Sequence, residues 1–144
     1  MSNRELTNVV EGNAYRILVR GKEHSWVLDE PLDKGGTNEG PAPVESFLGA
    51  LLSCLTISFQ FSARRKNVPI ERIEGWVAAN ETKYIEQIAI ELQVWSPAPE
   101  ETVRALLPFA ERGCFVKNAI KAEIDVSVEL IVNATAAAGA PAAE

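Results

Sequence analysis

The chain has 144 residues, 47% of them hydrophobic and 24% charged, with a net charge of −6 and a pI of about 4.9. These values are typical of one soluble globular domain. The acidic balance and the scattered basic residues argue against a nucleic acid partner. The stretch from Met1 to Glu5 is polar and shows no secretory signal, which predicts a cytosolic protein. In that compartment two cysteines are metal ligands, redox groups or core residues rather than a structural disulfide.

Residues 1–12 are polar, and we expect them to be frayed. Apolar residues alternate over residues 15–19 and again at 26–28, on either side of a turn at 20–22, which predicts a pair of strands. The Gly- and Pro-rich residues 35–43 then predict a loop without regular structure.

A long helix is the central element of the predicted fold. From Val44 to Lys66 there is no proline and only one glycine, and Pro43 suits the first helical turn. The apolar residues go most of the way round the helix; they include Leu48, Leu51, Leu52, Leu55, Ile57, Phe59 and Phe61. A helix that is apolar all round is expected to be buried on all sides. We expect the apolar run to be too short to span a bilayer, and it contains Gln60, so no membrane partner is expected.

The second half of the chain predicts strands and helices in mixed order. Residues 72–82 and 88–95 predict an antiparallel hairpin, 97–112 and 114–121 predict helices, and 126–132 predict a last strand. This order is typical of an α+β fold with an antiparallel sheet and helices on one side. One sheet covers only one side of the long helix. We therefore expect a homodimer, in which a second copy covers the other side.

No linker or internal repeat divides the chain, so we predict one domain over residues 1–133. The Ala-, Gly- and Pro-rich residues 134–144 are expected to form a disordered tail.

Two cysteines, sixty residues apart, carry the candidate chemistry. Cys54 lies in the middle of the long helix, where no helix dipole stabilises a thiolate. It is either an inert core thiol or a nucleophile activated by a cation from elsewhere in the fold. Cys114 follows Gly113 at the start of a short helix, whose N–H groups favour a thiolate; packing in the core is the alternative. With His24 as the only histidine, these residues make a poor zinc site, so no metal is expected.

A set of short motifs resembles the OsmC/Ohr family of thiol peroxidases and related proteins. The motifs are His24 with Asp29-Glu30-Pro31, Gly35-Gly36, Gly40-Pro41-x-Pro43-x-Glu45, Ala50-Leu51-Leu52-Ser53-Cys54, Ala63-Arg64-Arg65-Lys66 and Cys114-Phe115-Val116. The resemblance covers the chain from about Tyr15 to Val132. It implies an intertwined homodimer with the long helices at its centre and active sites at the interface.

The resemblance also implies a mechanism. Cys54 would attack an organic hydroperoxide and become a sulfenic acid, Cys114 would resolve it as a disulfide, and a dithiol such as a lipoylated protein would reduce the enzyme. No metal or flavin cofactor is implied.

Two departures from the family pattern concern the activating cation. The family's helix glutamate falls on Val44 here, and Glu45, the candidate in its place, lies one position further on. The family's arginine has no clear match, which leaves Arg16, Arg20 and Lys34 as candidates. Two alternatives to the peroxidase therefore stay open: a non-catalytic dimeric module that binds an apolar small molecule, and a redox sensor.

Overall fold

The computed structural model describes residues 4–12 and 15–136, which form two compact units, one up to Phe47 and one from Leu48. The regular elements are β1 (Thr7–Val10), β2 (Ile17–Arg20), β3 (Ser25–Leu28), α1 (Pro43–Arg65), β4 (Arg72–Glu81), β5 (Ile85–Ser96), α2 (Glu100–Arg104), α3 (Leu107–Gly113), α4 (Phe115–Asn118) and β6 (Asp125–Ala134). The α+β class is confirmed.

The first unit is built on an antiparallel sheet with the order β1-β2-β3. The predicted pair of strands is present, with Ile17 opposite Leu28. The prediction that residues 1–12 are frayed is wrong for Thr7 to Val10, which pair with β2. Their side chains are exposed, so backbone hydrogen bonding along the open edge of β2, rather than burial, holds this strand. Residues 1–3 lie outside the described residues.

Asp29 organises the loop that follows β3. Its carboxylate is buried and accepts hydrogen bonds from the backbone N–H groups of Glu30, Thr37 and Glu39 and from the Thr37 hydroxyl. The hydrogen bond from the Thr37 hydroxyl is the largest cause that holds the pKa of Asp29 at about 2, below its usual 3.8. Burial raises the pKa, but the Thr37 hydroxyl and the backbone donors together outweigh it. The loop predicted to be irregular is therefore ordered around one carboxylate.

The long helix α1 begins and ends close to the predicted residues. Pro43 occupies its first turn, and Glu45 Oε2 accepts a hydrogen bond from the Ala42 N–H at 2.8 Å. At the other end Asn67 adopts a left-handed φ of 54°, and the Val68 N–H donates to the Ala63 carbonyl at 2.9 Å. This pattern is a Schellman motif, which satisfies the last carbonyls and ends the helix before Pro69.

Within residues 4–12 and 15–136, only one face of α1 is buried. Leu51, Leu55 and Phe59 are fully buried in the core, whereas Ile57 and Phe61 on the other side are 68% and 60% exposed. The prediction of a helix buried on all sides is therefore not met in a single chain, because one sheet covers one face. At 23 residues α1 is long and apolar enough to cross a membrane by length and composition alone, as many core helices are. The prediction that its apolar run is too short for a bilayer is therefore wrong.

The second unit has a sheet with the order β4-β5-β6. The predicted hairpin of β4 and β5 is present and antiparallel, but β6 pairs with β5 in parallel, so the prediction of a wholly antiparallel sheet is wrong. A parallel pair needs a crossover connection, and the helices between β5 and β6 supply it. Alternate residues of β5 are buried against α1; they are Ile88, Ile90, Leu92 and Val94.

The helix predicted over residues 97–112 is two helices, α2 and α3. Pro108 lies in the first turn of α3 and has no N–H to donate to the preceding turn, so a continuous helix cannot form. The helix predicted over residues 114–121 is the shorter α4. The predicted tail begins inside β6, which ends at Ala134, and the Thr135 N–H donates to the Ser96 carbonyl at 2.9 Å. The rest of that tail, from 137 on, lies outside the described residues.

Candidate functional site

Cys54 opens onto a cavity of about 740 Å³, a volume in the range of small-molecule sites. Its lining comes from one face of α1 and from α3 and α4: Cys54, Ile57, Ser58, Phe61, Ser62, Arg65, Lys66, Phe109, Gly113 and Phe115. Ser58, Phe61 and Arg65 follow Cys54 at the spacing that places residues on the same helical face. Cys54 is half-buried, so its sulfur is accessible to a molecule in the cavity.

Cys114 is fully buried at the junction where α3 ends and α4 begins. The fold places its thiol near that of Cys54, which packs against the same core cluster. Burial is the largest cause that raises the pKa of Cys114, and the Cys54 thiol raises it further. The N–H groups of Lys117 and Val116 act in the opposite direction, as predicted for the start of a helix, but burial and the Cys54 thiol together outweigh them.

The junction of α3 and α4 is held by contacts of its own. The Asn118 side-chain amide donates to the Arg112 carbonyl at 2.9 Å, and Lys117 Nζ lies 3.5 Å from a carboxylate oxygen of Glu111. These contacts span Cys114 in the sequence and fix the turn that carries it. Phe115, the next residue, is 88% exposed and does not cover Cys114, but Cys114 does pack in the core, as the alternative to a thiolate site predicted.

Three cations border the cavity or its neighbouring aromatic ring. The Lys66 Nζ lies 3.9 Å and the Arg112 Cζ 4.6 Å from the centre of the Phe109 ring, and Arg65 lies over Phe61 at 5.9 Å. In the sequence Arg65 and Lys66 were noted only as part of a family motif, and none of the three was predicted as a site cation. Helical spacing from Cys54 could have found Arg65, whereas Arg112 became visible only once α3 was placed beside α1.

The other predicted site residues belong to the unit that ends at Phe47, whereas the cavity is built from residues after Leu48. Arg16 forms an ion pair with Glu39, and Lys34 lies in a 3₁₀ turn. Arg20 ends β2. Glu45 accepts the hydrogen bond at the start of α1 described above. The predicted roles of Arg16, Arg20, Lys34 and Glu45 in activating Cys54 stay predictions.

His24 lies in the turn after β2, where its carbonyl accepts a hydrogen bond from the Gly21 N–H at 2.8 Å. Within residues 4–12 and 15–136, no three His, Cys, Asp or Glu side chains cluster as metal ligands would. The chemistry of the described site therefore centres on its pair of thiols. One is open to an apolar cavity and the other is buried beside it, which suits an attacking thiol and a second thiol that closes a disulfide.

Comparison with known proteins identifies the family. A family model described as OsmC-like protein matches residues 36–129, while a search of curated proteins gives no match. An OsmC-like protein of Mycoplasma pneumoniae has a similar structure, with a TM-score of 0.77 and 16% identity over 92% of this chain and 97% of that one.

Two further similar structures are described as organic hydroperoxide resistance proteins. The OsmC protein of Legionella pneumophila has a TM-score of 0.67 and 17% identity, over 92% of this chain and 98% of that one. OhrB of Bacillus subtilis has a TM-score of 0.62 and 20% identity, over 90% and 98%. At these identities the likeness shows a shared fold, and the family resemblance of the sequence is confirmed. The chain therefore belongs to the OsmC-like protein family.

Proposed function

We propose that the protein is a cysteine-based peroxidase that reduces organic hydroperoxides. The observation that supports it best is that Cys54, at the wall of an apolar cavity, lies near the buried Cys114, sixty residues away in sequence. In the first step the Cys54 thiolate attacks the terminal oxygen of the hydroperoxide. The O–O bond breaks, Cys54 becomes a sulfenic acid, and the leaving alkoxide takes a proton to become an alcohol.

Cys114 resolves this intermediate. Its sulfur bonds to that of Cys54, the S–O bond breaks, and water leaves. A dithiol reductant, such as a lipoylated protein, then exchanges with the disulfide and returns both cysteines to thiols. The cycle needs no cofactor. We place it in the cytosol, where such reductants keep thiols reduced.

We propose that the working form is a homodimer. Large apolar side chains on the outer face of α1 and beside it are exposed in the single chain, among them Ile57, Phe61 and Phe115. Contiguous exposed apolar surface of this kind marks a protein interface or a ligand site. Light scattering at micromolar protein should give the mass of two chains, and a monomeric mass would contradict the dimer.

The size and apolar lining of the cavity also support a second candidate, a dimeric module that binds an apolar small molecule without turnover. In that case the cysteines would be part of the wall. The two candidates differ in what peroxide does to Cys54.

Titration of the reduced protein with cumene hydroperoxide and with hydrogen peroxide separates them. The peroxidase should lose its thiols faster with the organic peroxide, as followed by mass spectrometry. Cys54→Ser should abolish peroxide consumption, because a hydroxyl is far less nucleophilic than a thiolate. Cys114→Ser should consume one equivalent and leave a sulfenic acid that dimedone traps. Equally slow oxidation by both peroxides, with both variants alike, would favour the binding module.

A further inference from the structure

Ser58 lies one helical turn after Cys54, and its hydroxyl is bonded to a neighbouring helix. The Ser58 Oγ donates a hydrogen bond to the Ala110 carbonyl at 2.7 Å. In the described part of the chain, no other side-chain hydrogen bond joins α1 to α3. Ala110 belongs to the last turn of α3, which leads directly into Cys114. The bond therefore ties the helix of one thiol to the backbone that carries the other.

Gly113 leaves the space that this hydrogen bond needs. A Cβ at Gly113 would lie 2.7 Å from the Ser58 Oγ, which is the one atom outside its own stretch of helix that it would approach within 4 Å in the described part of the chain. Gly113 is not among the described glycines with a positive φ, so its backbone conformation does not require glycine. The close approach of the Ser58 hydroxyl is what a larger residue would disturb.

The remaining polar contacts near Cys114 do not connect the end of α3 to α1. The bond from Asn118 to Arg112 and the pair of Lys117 with Glu111 hold the α3–α4 junction to itself. Burial of Ala110 and Cys114 keeps the junction against the core, but apolar packing is not directional. The Ser58 bond adds a fixed direction and distance between α1 and the end of α3.

We infer that Ser58 is a positioning residue: with Gly113 beside it, its hydrogen bond to Ala110 holds the Cys114 sulfur in place to attack Cys54. This role rests on the proposed two-cysteine reaction and concerns its second step. There the Cys114–Cys54 bond forms, the S–O bond of the sulfenic acid breaks, and the leaving hydroxide takes the proton of the Cys114 thiol to become water. The same alignment governs any reaction in which Cys114 displaces a leaving group from the Cys54 sulfur.

An assay without peroxide tests the role directly. Reduced protein is mixed with one equivalent of the aromatic disulfide DTNB, which releases one coloured thiolate (TNB) at each exchange. The accessible Cys54 releases the first TNB and forms a mixed disulfide, and Cys114 releases the second when it closes the internal disulfide. Cys114→Ser should release only the first. The ratio of the second rate to the first isolates the step that depends on position.

Ser58→Ala should lower this ratio about tenfold, because a misplaced nucleophile loses the benefit of a fixed geometry. Ser58→Thr keeps the donor and should restore the ratio. Thr56→Ala is the matched control, since the Thr56 hydroxyl donates to the Leu52 carbonyl within α1 at 2.9 Å, and it should stay within about twofold of the wild type. A Ser58→Ala ratio within about twofold of the wild type would overturn the inference.

Gly113→Ala tests the contact from the other side. The new methyl should displace the Ser58 hydroxyl and lower the ratio as Ser58→Ala does, while the double variant should lose no more than either single variant. Additive losses would contradict a shared contact. Release of a single TNB by the wild type would also overturn the inference. Normal release of both TNB groups by a protein that ignores peroxides would contradict only the proposed function.

Discussion

The two faces of α1 are both apolar, yet they have different surroundings. On one face Leu51, Leu55 and Phe59 are fully buried against the core. On the other, Cys54 is half-buried, and Ile57 and Phe61 remain mostly exposed and line a cavity. An apolar pattern all round a helix therefore predicts that both faces are shielded from water, but it does not identify what covers each face. Here one face is covered by the protein's own sheet, and the other is available to a substrate and, we propose, to a second chain.

Aspartate substitutions on the two faces of α1 should have the largest effects, and these effects should differ: loss of folding on one face and loss of dimerisation on the other. Leu55→Asp, like Leu51→Asp, should yield no soluble folded protein, because a buried carboxylate without a partner is very costly. Ile57→Asp should fold and remain soluble but fail to dimerise. Circular dichroism and light scattering measure both properties. Soluble, folded Leu55→Asp protein would show that the sheet-facing side is less buried than described, and dimeric Ile57→Asp protein would remove Ile57 from the proposed interface.

The rate at which Cys114 closes the disulfide with Cys54 should depend strongly on pH. Burial raises the pKa of Cys114 above its usual 9.0, so the thiol is protonated at neutral pH. Below that pKa the thiolate fraction, and with it the rate of disulfide closure, should rise about tenfold for each pH unit. Stopped-flow measurement of the second TNB release over a pH series checks this. A closing rate independent of pH would mean that Cys114 loses its proton before the step.

At Asp29 burial also raises the pKa, but the hydrogen-bond donors around the carboxylate together lower it by more. Because its pKa is lower in the folded protein, Asp29 contributes stability fully above its usual pKa of 3.8, and this contribution is lost as the pH falls through about 2. Asp29→Asn should therefore lower the free energy of unfolding at neutral pH, by an amount that shrinks as the pH approaches 2. Urea unfolding at several pH values measures it. A difference that does not change with pH would assign the loss to packing.

Local sequence signals were sufficient to predict the bounds of α1 but not the strand pairing of the sheet that covers it. Pro43, the absence of breakers and the Asn67 end of the helix are all local, and they predicted its bounds to within one residue. Alternating apolar residues in β6 specify a buried face but neither the neighbouring strand nor its direction, so the parallel pairing with β5 was not predictable from them. Pro108 is a breaker present in the sequence, and the prediction of a single helix over 97–112 overlooked it.

The candidate site was predictable in its residues but not in its geometry. From the residues alone Cys54 and Cys114 could have been unrelated, and only the family resemblance joined them. The predicted effect of the helix N–H groups on Cys114 has the correct direction, yet burial is the largest cause and the net shift of the pKa is upward. Burial depends on the packed core, which the sequence does not give. Ser58 lies on the predicted face of Cys54, but its partner is a backbone carbonyl, which no sequence pattern reveals.

The most direct test of the central claim is to locate the bond that peroxide creates. Reduced protein is treated with one equivalent of cumene hydroperoxide, digested without reductant and mapped by mass spectrometry, with Cys114→Ser as the control. The two-cysteine mechanism predicts a peptide pair joined through Cys54 and Cys114, which is absent from the control. Oxidised wild-type protein in which Cys114 remains a free thiol would contradict it.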